Sequence, residues 1–459
     1  MSQDVQAPQP EQLPRNAMRG LLDAVERLGN RMPHPAVLFL LLIGLIVVVA
    51  QVGAWLELSV TYERVNPRTY EIESTTTTAR SLLSAEGIRF ICTSVVPNFV
   101  NFGPVGIIFV AMIGVGLAER CGLIGAAIRL LVVVTPKQFM TAIVVTLGLL
   151  SSIASDAGYL VLIPLGAAAF YSLGRHPLAG LAAAFAGVAA AFGVNFMVKP
   201  IDGILAEMTN NAIHIVDPGR SIELTANFYF GIASSFLLIA VCTVVTEWLV
   251  EPRLGKYTGT GPVEEKHGIS AEEVRGLTCA LVAFIGFLGL LALVTLPAGA
   301  ALRNPETGAL LGNSPFMESL VFLIMLAFLA SGIAYGIGAR TIPSMDAGIK
   351  QITETLCGLG GLLFLFFVIS QFVAYFNYSN LGTILAVHLA DVLKQADLNS
   401  VTLLLAFILI GFVLCFPLPN ILPKWAILAP VFVPLFMKLG VEPEIVLAAY
   451  RVSDSPPNV

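Results

Sequence analysis

Long apolar runs broken by short polar joints set the rhythm of this chain. Runs at 36–54, 104–119, 179–197, 228–250, 278–297, 316–337 and 356–376 predict full membrane-spanning helices, since about 20 apolar residues are needed to cross a bilayer. Shorter runs lie at 122–134, 138–153, 157–172, 380–393, 401–416 and 425–439. Two stretches stand apart, LGLLSSIASDAGYLVLIPLGAAAF at 147–170 and GFVLCFPLPNILPKWAILAPVFVPLF at 411–436. Each is an apolar arm, a polar break and a second arm ending in Pro-Leu. Each is followed by a further polar cluster, GVNFMVKPIDG at 193–203 and YRVSDSPPNV at 450–459. Paired interruptions in two halves predict re-entrant hairpins around a midplane site. Irregular backbone survives at that depth only where protein or a wet cavity surrounds it.

Composition sharpens this picture. Hydrophobic residues make up 56% of the 459 and charged residues 12%, half the roughly 25% of a soluble domain. The fold class expected is therefore all-α: a polytopic α-helical membrane protein with two opposed re-entrant hairpins and inverted-repeat architecture. The organisation expected is a cytoplasmic N-terminal tail (1–35), then a first membrane half (36–250) with a hairpin at about 138–172. A cytoplasmic linker (251–277) leads to a second half (278–459) with a hairpin at about 401–439. The polar start, with Asp4, Glu11, Asp23 and Glu26, is too long for the n-region of a signal peptide. Basic residues in the tail and in 251–277, against one arginine in 298–315, place the N-terminus inside. By parity 55–100 is an outside segment, despite four arginines offset by five glutamates. The six cysteines are scattered, without a CxxC, and read as small buried hydrophobes; five dispersed histidines argue against a metalloenzyme. No nucleophile–base pattern or phosphate loop points to an enzyme.

Ionisable groups inside a membrane cost roughly 2.5–3.5 kcal/mol each on insertion scales, so each asks for a reason. Glu247 fits a helix end near the inner interface, Glu207 and His214 an outer or interfacial loop, and Lys199 a snorkelling side chain. Lys424 also falls in an apolar run. Asp156, flanked by Ser151, Ser152, Ser155 and Gly158, sits where freed carbonyls and a carboxylate can ligate a sodium ion or carry a proton. Arg451 and Asp454 are three apart and share a helix face, either as a self-neutralising pair or as a site where arginine forks to a substrate carboxylate. Trp425 reads either as a wall for a substrate ring or as an interfacial tryptophan.

The stretches LLSAEGIRFICTSVVPNFVNFGPVG, GVGLAERCGLIG, SDAGYLVLIPLGAAAF, GRHPLAGLAAAFAGV, QFVAYFNYSNLGTILAV, PKWAILAPVFVPLFMKLG and AAYRVSDS, spread from about residue 81 to 455, resemble the AbgT family of p-aminobenzoyl-glutamate transporters. The resemblance implies a bacterial inner-membrane secondary transporter, a homodimer with a helical scaffold and a hairpin-bearing core. The family's activities are uptake of the folate catabolite p-aminobenzoyl-glutamate and efflux of sulfonamides, driven by Na+ or H+. Family functional positions carry over to Asp202, Trp425, Pro443, Arg451 and Asp454 as substrate-binding residues. Two features depart from the family. Cys415 replaces an asparagine and Leu422 a serine, leaving Asn420 as a candidate replacement amide. The chain also stops five residues after Asp454, where relatives continue into further membrane helix.

The function expected is cation-coupled transport of p-aminobenzoyl-glutamate, with sulfonamide efflux or a truncated non-transporting protein as alternatives. Cation-coupling is expected at Asp156, Asp454 and Asn420, with sodium near Asp156 and Asp454 and no other cofactor. The partners expected are an aryl-amine carboxylate, the lipid bilayer and a second copy of the chain, without nucleic acid.

Overall fold

The computed structural model describes residues 33–65, 72–152, 158–190, 193–257, 269–395, 399–415, 418 and 420–455. The chain is overwhelmingly helical, and seven stretches are long and apolar enough to cross a membrane among the described residues. The first is α1 (Pro35–Trp55), where Pro35 opens the helix and His34 Nδ1 accepts from the Ala36 amide at 3.2 Å. Phe39, Ile46 and Ala50 form its buried stripe, whereas Leu41, Leu45 and Val48 stay exposed, as lipid-facing positions must.

Segment 55–100, expected on the outside and read only for its charge, has secondary structure of its own. It holds an antiparallel ribbon, β1 (Ser59–Val65) with β2 (Ile72–Thr78), in register from Ser59↔Thr78 to Val65↔Ile72. This ribbon is the one departure from an all-α fold among the described residues. Its run IESTTTT is rich in β-branched residues, which suit a pleated surface. The segment then forms α2 (Ala85–Val100), capped by Ser84 Oγ accepting from the Gly87 amide at 3.0 Å. Polar residues hide this helix in a hydropathy reading, yet they have partners. Asn98 Nδ2 donates to Gln371 Oε1 at 2.9 Å, and Gln371 Nε2 donates to the Val95 carbonyl at 3.0 Å.

Next come α3 (Gly103–Arg120), α4 (Leu123–Val134), α5 (Met140–Ser151), a π-helical turn (Gly158–Leu162) running into α6 (Ile163–Ser172), α7 (Pro177–Ala189) and α8 (Pro200–Ile213). The expected span 179–197 does not form: the helix ends at Ala189, and the described residues 193–199 are not helical. Proline disfavours helical geometry in the residue before it, and Lys199 is extended at φ −110° and ψ 160°. The described chain continues with α9 (Phe228–Val245), whose turn Thr246–Val250 leads into the short α10 (Glu251–Leu254). Then follow α11 (Ala271–Thr295), α12 (Pro315–Glu318), α13 (Leu320–Gly338), the amphipathic α14 (Met345–Gly358) and α15 (Gly360–Tyr378). The last are α16 (Leu381–Gln395), α17 (Ser400–Cys415), α18 (Ile421–Lys438) and α19 (Pro443–Asp454). α18 extends the expected 425–439 run back to Ile421 and is itself long enough to span.

Small residues set how closely these helices cross, as they do where apolar lipid offers no driving force for association. A Cβ on Gly114 of α3 would strike the Met325 carbonyl of α13, and one on Gly148 of α5 would strike the backbone of Gly187 in α7. A large apolar core joins α1, α3, α8, α15, α18 and α19. A second core holds α5, α6 and α7 together. The units α5–break–α6 and α17–break–α18 fit re-entrant hairpins, and in each the next helix packs on both arms.

Candidate functional site

Two helix starts, one in each half, border the same cavity, and both are dictated locally. At α8, Pro200 supplies the first helical residue and Asp202 Oδ2 accepts from the Lys199 amide at 2.7 Å. At α18, Asn420 caps the helix by accepting from the Leu422 amide at 3.1 Å. Both N-termini open onto one cavity of about 240 Å3, which also exposes Ser152 from the end of α5 and the Lys199 side chain. Ile108, Met112 and Leu362 form an apolar wall. Helix N-termini carry partial positive charge and unused amides, so their convergence beside an ammonium group suits an anion.

The charged residues form two buried pairs between elements. Arg451 Nη1 donates to Asp202 Oδ1 at 2.6 Å and to the Gly193 carbonyl at 2.9 Å, joining α19 to the start of α8. Lys424 Nζ donates to Asp454 Oδ1, and to Cys415 Sγ at 2.8 Å. Arg451 and Asp454 therefore do not neutralise one another, although one helix face presents both. Each is matched to a different half of the molecule. By neutralising Asp202, Arg451 leaves the α8 dipole unopposed at the cavity. Arg451 Nε and Asn227 Oδ1 are buried without a hydrogen-bond partner among the described residues. Both residues line a second cavity of about 20 Å3, the size of one water.

Lys199 does not snorkel. It is 2% exposed, and its Nζ donates to Ser152 Oγ at 3.2 Å and to the Val194 carbonyl at 3.5 Å. Asn195 Nδ2 reinforces the same junction by donating to the Leu149 carbonyl at 2.8 Å and to Ser152 Oγ at 3.2 Å. Trp425 is neither at an interface nor on the cavity wall. It is fully buried, stacks on Tyr450 at 4.4 Å between ring centroids, and donates from Nε1 to Thr209 Oγ1 at 3.1 Å. The Tyr450 hydroxyl in turn donates to the Ile421 carbonyl, pinning α19 to the first residue of α18.

The other expected positions fall as follows. Pro443 begins α19, eight residues from Arg451 and thus about 12 Å away along the helix. It lies beside the Asn227–Glu444 hydrogen bond of 2.9 Å, outside the buried cluster. Asp156 lies outside the described residues. Glu207 is in α8 and not in a loop, and His214 is exposed at the end of that helix. Glu247 accepts from Thr141 Oγ1 at 2.7 Å and lies 3.6 Å from Arg175, as a helix-end residue should. Of the cysteines, Cys121 and Cys415 are buried, whereas Cys92 and Cys357 are exposed. Asn195, Thr209 and Tyr450 are members of the cluster that hydropathy and charge alone did not single out, whereas Ser152 was read only as a flank of Asp156 and Lys199 only as a snorkelling side chain. The one signal for them was position: each flanks a break or sits a turn from a charged residue.

The same arrangement has relatives among known proteins. A sequence profile of the AbgT putative transporter family matches residues 20–459. The chain is 34% identical to the p-aminobenzoyl-glutamate transport protein of Escherichia coli strain K12, over 96% of this chain and 85% of that protein. It resembles the crystal structure of the Alcanivorax borkumensis YdaH transporter with a TM-score of 0.83 and 39% identity, over 93% of this chain and 87% of the other. The Neisseria gonorrhoeae MtrF structure, described as illuminating a class of antimetabolite efflux pumps, gives a TM-score of 0.88 and 41% identity, over 95% and 87%.

Proposed function

Because the chain belongs to the AbgT transporter family, we propose that this multi-pass membrane transporter carries p-aminobenzoyl-glutamate, or a closely similar aryl carboxylate. The observation that carries the substrate class is the convergence of two helix N-termini and Lys199 on one cavity with an apolar wall. A substrate carboxylate suits the amides of α8 and α18, and an aromatic ring suits Ile108, Met112 and Leu362. Ser152 and Asn420 supply polar contacts at the two breaks. Arg451 with Asp202, and Lys424 with Asp454, hold those breaks in place. Trp425 acts through Tyr450 and Thr209 as a positioning residue.

Transport in this reading is coupled to a cation gradient across the bacterial inner membrane. The N-terminus is cytoplasmic and two copies of the chain associate. Flux of labelled p-aminobenzoyl-glutamate into liposomes holding the purified chain tests it. Flux well above that of empty liposomes is expected, with at least a tenfold loss in Lys199→Ala. A folded protein without flux contradicts the reading.

A second reading, export of sulfonamide antimetabolites, is favoured by the 41% identity to an efflux pump. Expression in a sulfonamide-sensitive strain tests it: protection supports export, and unchanged susceptibility argues against it.

A further inference from the structure

A carboxylate buried among membrane helices is where a transporter can hold a dissociable cation, and Asp454, the last residue of α19, is such a carboxylate. Its position in this molecule is already filled. Asp454 is 1% exposed, and the ammonium of Lys424, itself fully buried, donates to its Oδ1. On the far side of that ammonium lies the Cys415 sulfur, 2.8 Å from Nζ, at the last residue of α17. The thiol also donates to the Gly411 carbonyl at 3.2 Å. Hard cations such as sodium require several oxygen ligands, and sulfur is a poor one. The group that occupies the end of the arm is therefore a cation covalently attached to the next helix.

The first half repeats the device. There Lys199 Nζ meets Ser152 Oγ at 3.2 Å, and Ser152 caps the end of α5 as Cys415 ends α17. The two arms also share a glycine four residues earlier, Gly148 and Gly411, each pressed against the helix that follows its hairpin. Two buried ammonium groups at equivalent arm ends make chance placement of one lysine a poor explanation, since lysine is almost never fully buried without a partner.

We propose that Lys424 is a tethered monovalent cation that takes the place of a bound sodium ion at Asp454, with Cys415 as the residue that makes the position unsuited to sodium. The proposal rests on the transport reading above and deepens it: substrate movement through this half of the molecule does not use sodium. It identifies Lys424 and Cys415 as determinants of ion specificity, neither of which lines the substrate cavity.

The test uses the chain of residues 1–459, with thermal unfolding in detergent and flux in liposomes measured in sodium chloride and in choline chloride at equal ionic strength. Wild type is expected to unfold at the same temperature in both salts, and its flux to change less than twofold. Lys424→Arg, which keeps a tethered cation, is expected to behave likewise. The double variant Cys415→Asn, Lys424→Ala opens the position and supplies an oxygen ligand. It is expected to show a saturable rise in unfolding temperature with sodium over choline, as ligand linkage requires. Sodium-specific stabilisation or flux in wild type that disappears in Asp454→Asn overturns the proposal. That wild-type comparison decides the matter even where the double variant does not fold. A folded wild type without flux counts against the transport reading alone, because the unfolding measurements still decide whether sodium binds at Asp454.

Discussion

At the residue scale, the decisive choices are made by buried ions that find opposite charges on other helices. Removing one partner of such a pair leaves the other charge buried and typically costs about 3–5 kcal/mol. Arg451→Ala is expected to lose stability of that order in a denaturant titration, with Asp202 left in place. The paired variant Arg451→Met, Asp202→Leu is expected to recover much of the stability without recovering flux. Equal stability of Arg451→Ala and wild type would show that the Arg451–Asp202 pair is not formed. A second expectation concerns Arg451 Nε and Asn227 Oδ1, a donor and an acceptor bordering a cavity of one-water size. A high-resolution crystallographic map should show one ordered water between them; two apolar contacts there instead would contradict it.

At the element scale, close helix crossings and broken helices do different jobs. Crossings that depend on absent side chains fix the hairpins against their neighbours. Gly148→Val is expected to force α5 off α7, at an overpacking cost of about 1–3 kcal/mol. Gly289→Val in α11, where a Cβ meets nothing, should be neutral in the same thermal measurement. Equal losses in the two variants would contradict the assignment of Gly148 to a helix crossing. Broken helices bring polar groups to the candidate site, and they also mark where a sequence reading succeeds and fails. The breaks at 147–170 and 411–436 were legible because polar residues interrupt apolar runs. The stop at Ala189 was not, because AAAFGVNFM remains apolar on average and only Lys199-Pro200 signals the change. α2 was missed for the opposite reason: Ser94 and Asn98 lower its hydropathy, although Asn98 is paired with Gln371 on α15. The β-ribbon was hidden inside a segment read only for its charge.

At the scale of the whole molecule, residues 216 to 249 positions apart meet in one cluster: α8 from the first half, α18 and α19 from the second. Charge and spacing along the chain singled out Arg451 and Asp454, because charges in membrane segments need reasons, and the family resemblance added Asp202. Their pairing could not be read, since Arg451 and Asp454 look like natural partners on one helix face and only the tertiary fold sends each to another element. Lys199 illustrates the same limit, for a lysine near an apolar run is consistent with snorkelling until its surroundings are known. The central claim is that two helix N-termini and Lys199 create a site for an anion. Calorimetric binding of p-aminobenzoyl-glutamate, compared with its uncharged diamide, tests that claim most directly. The account predicts at least tenfold tighter binding of the dicarboxylate to wild type, with the preference largely lost in Lys199→Gln. Equal affinity of wild type for the two compounds, or an undiminished preference in a folded Lys199→Gln protein, would contradict it.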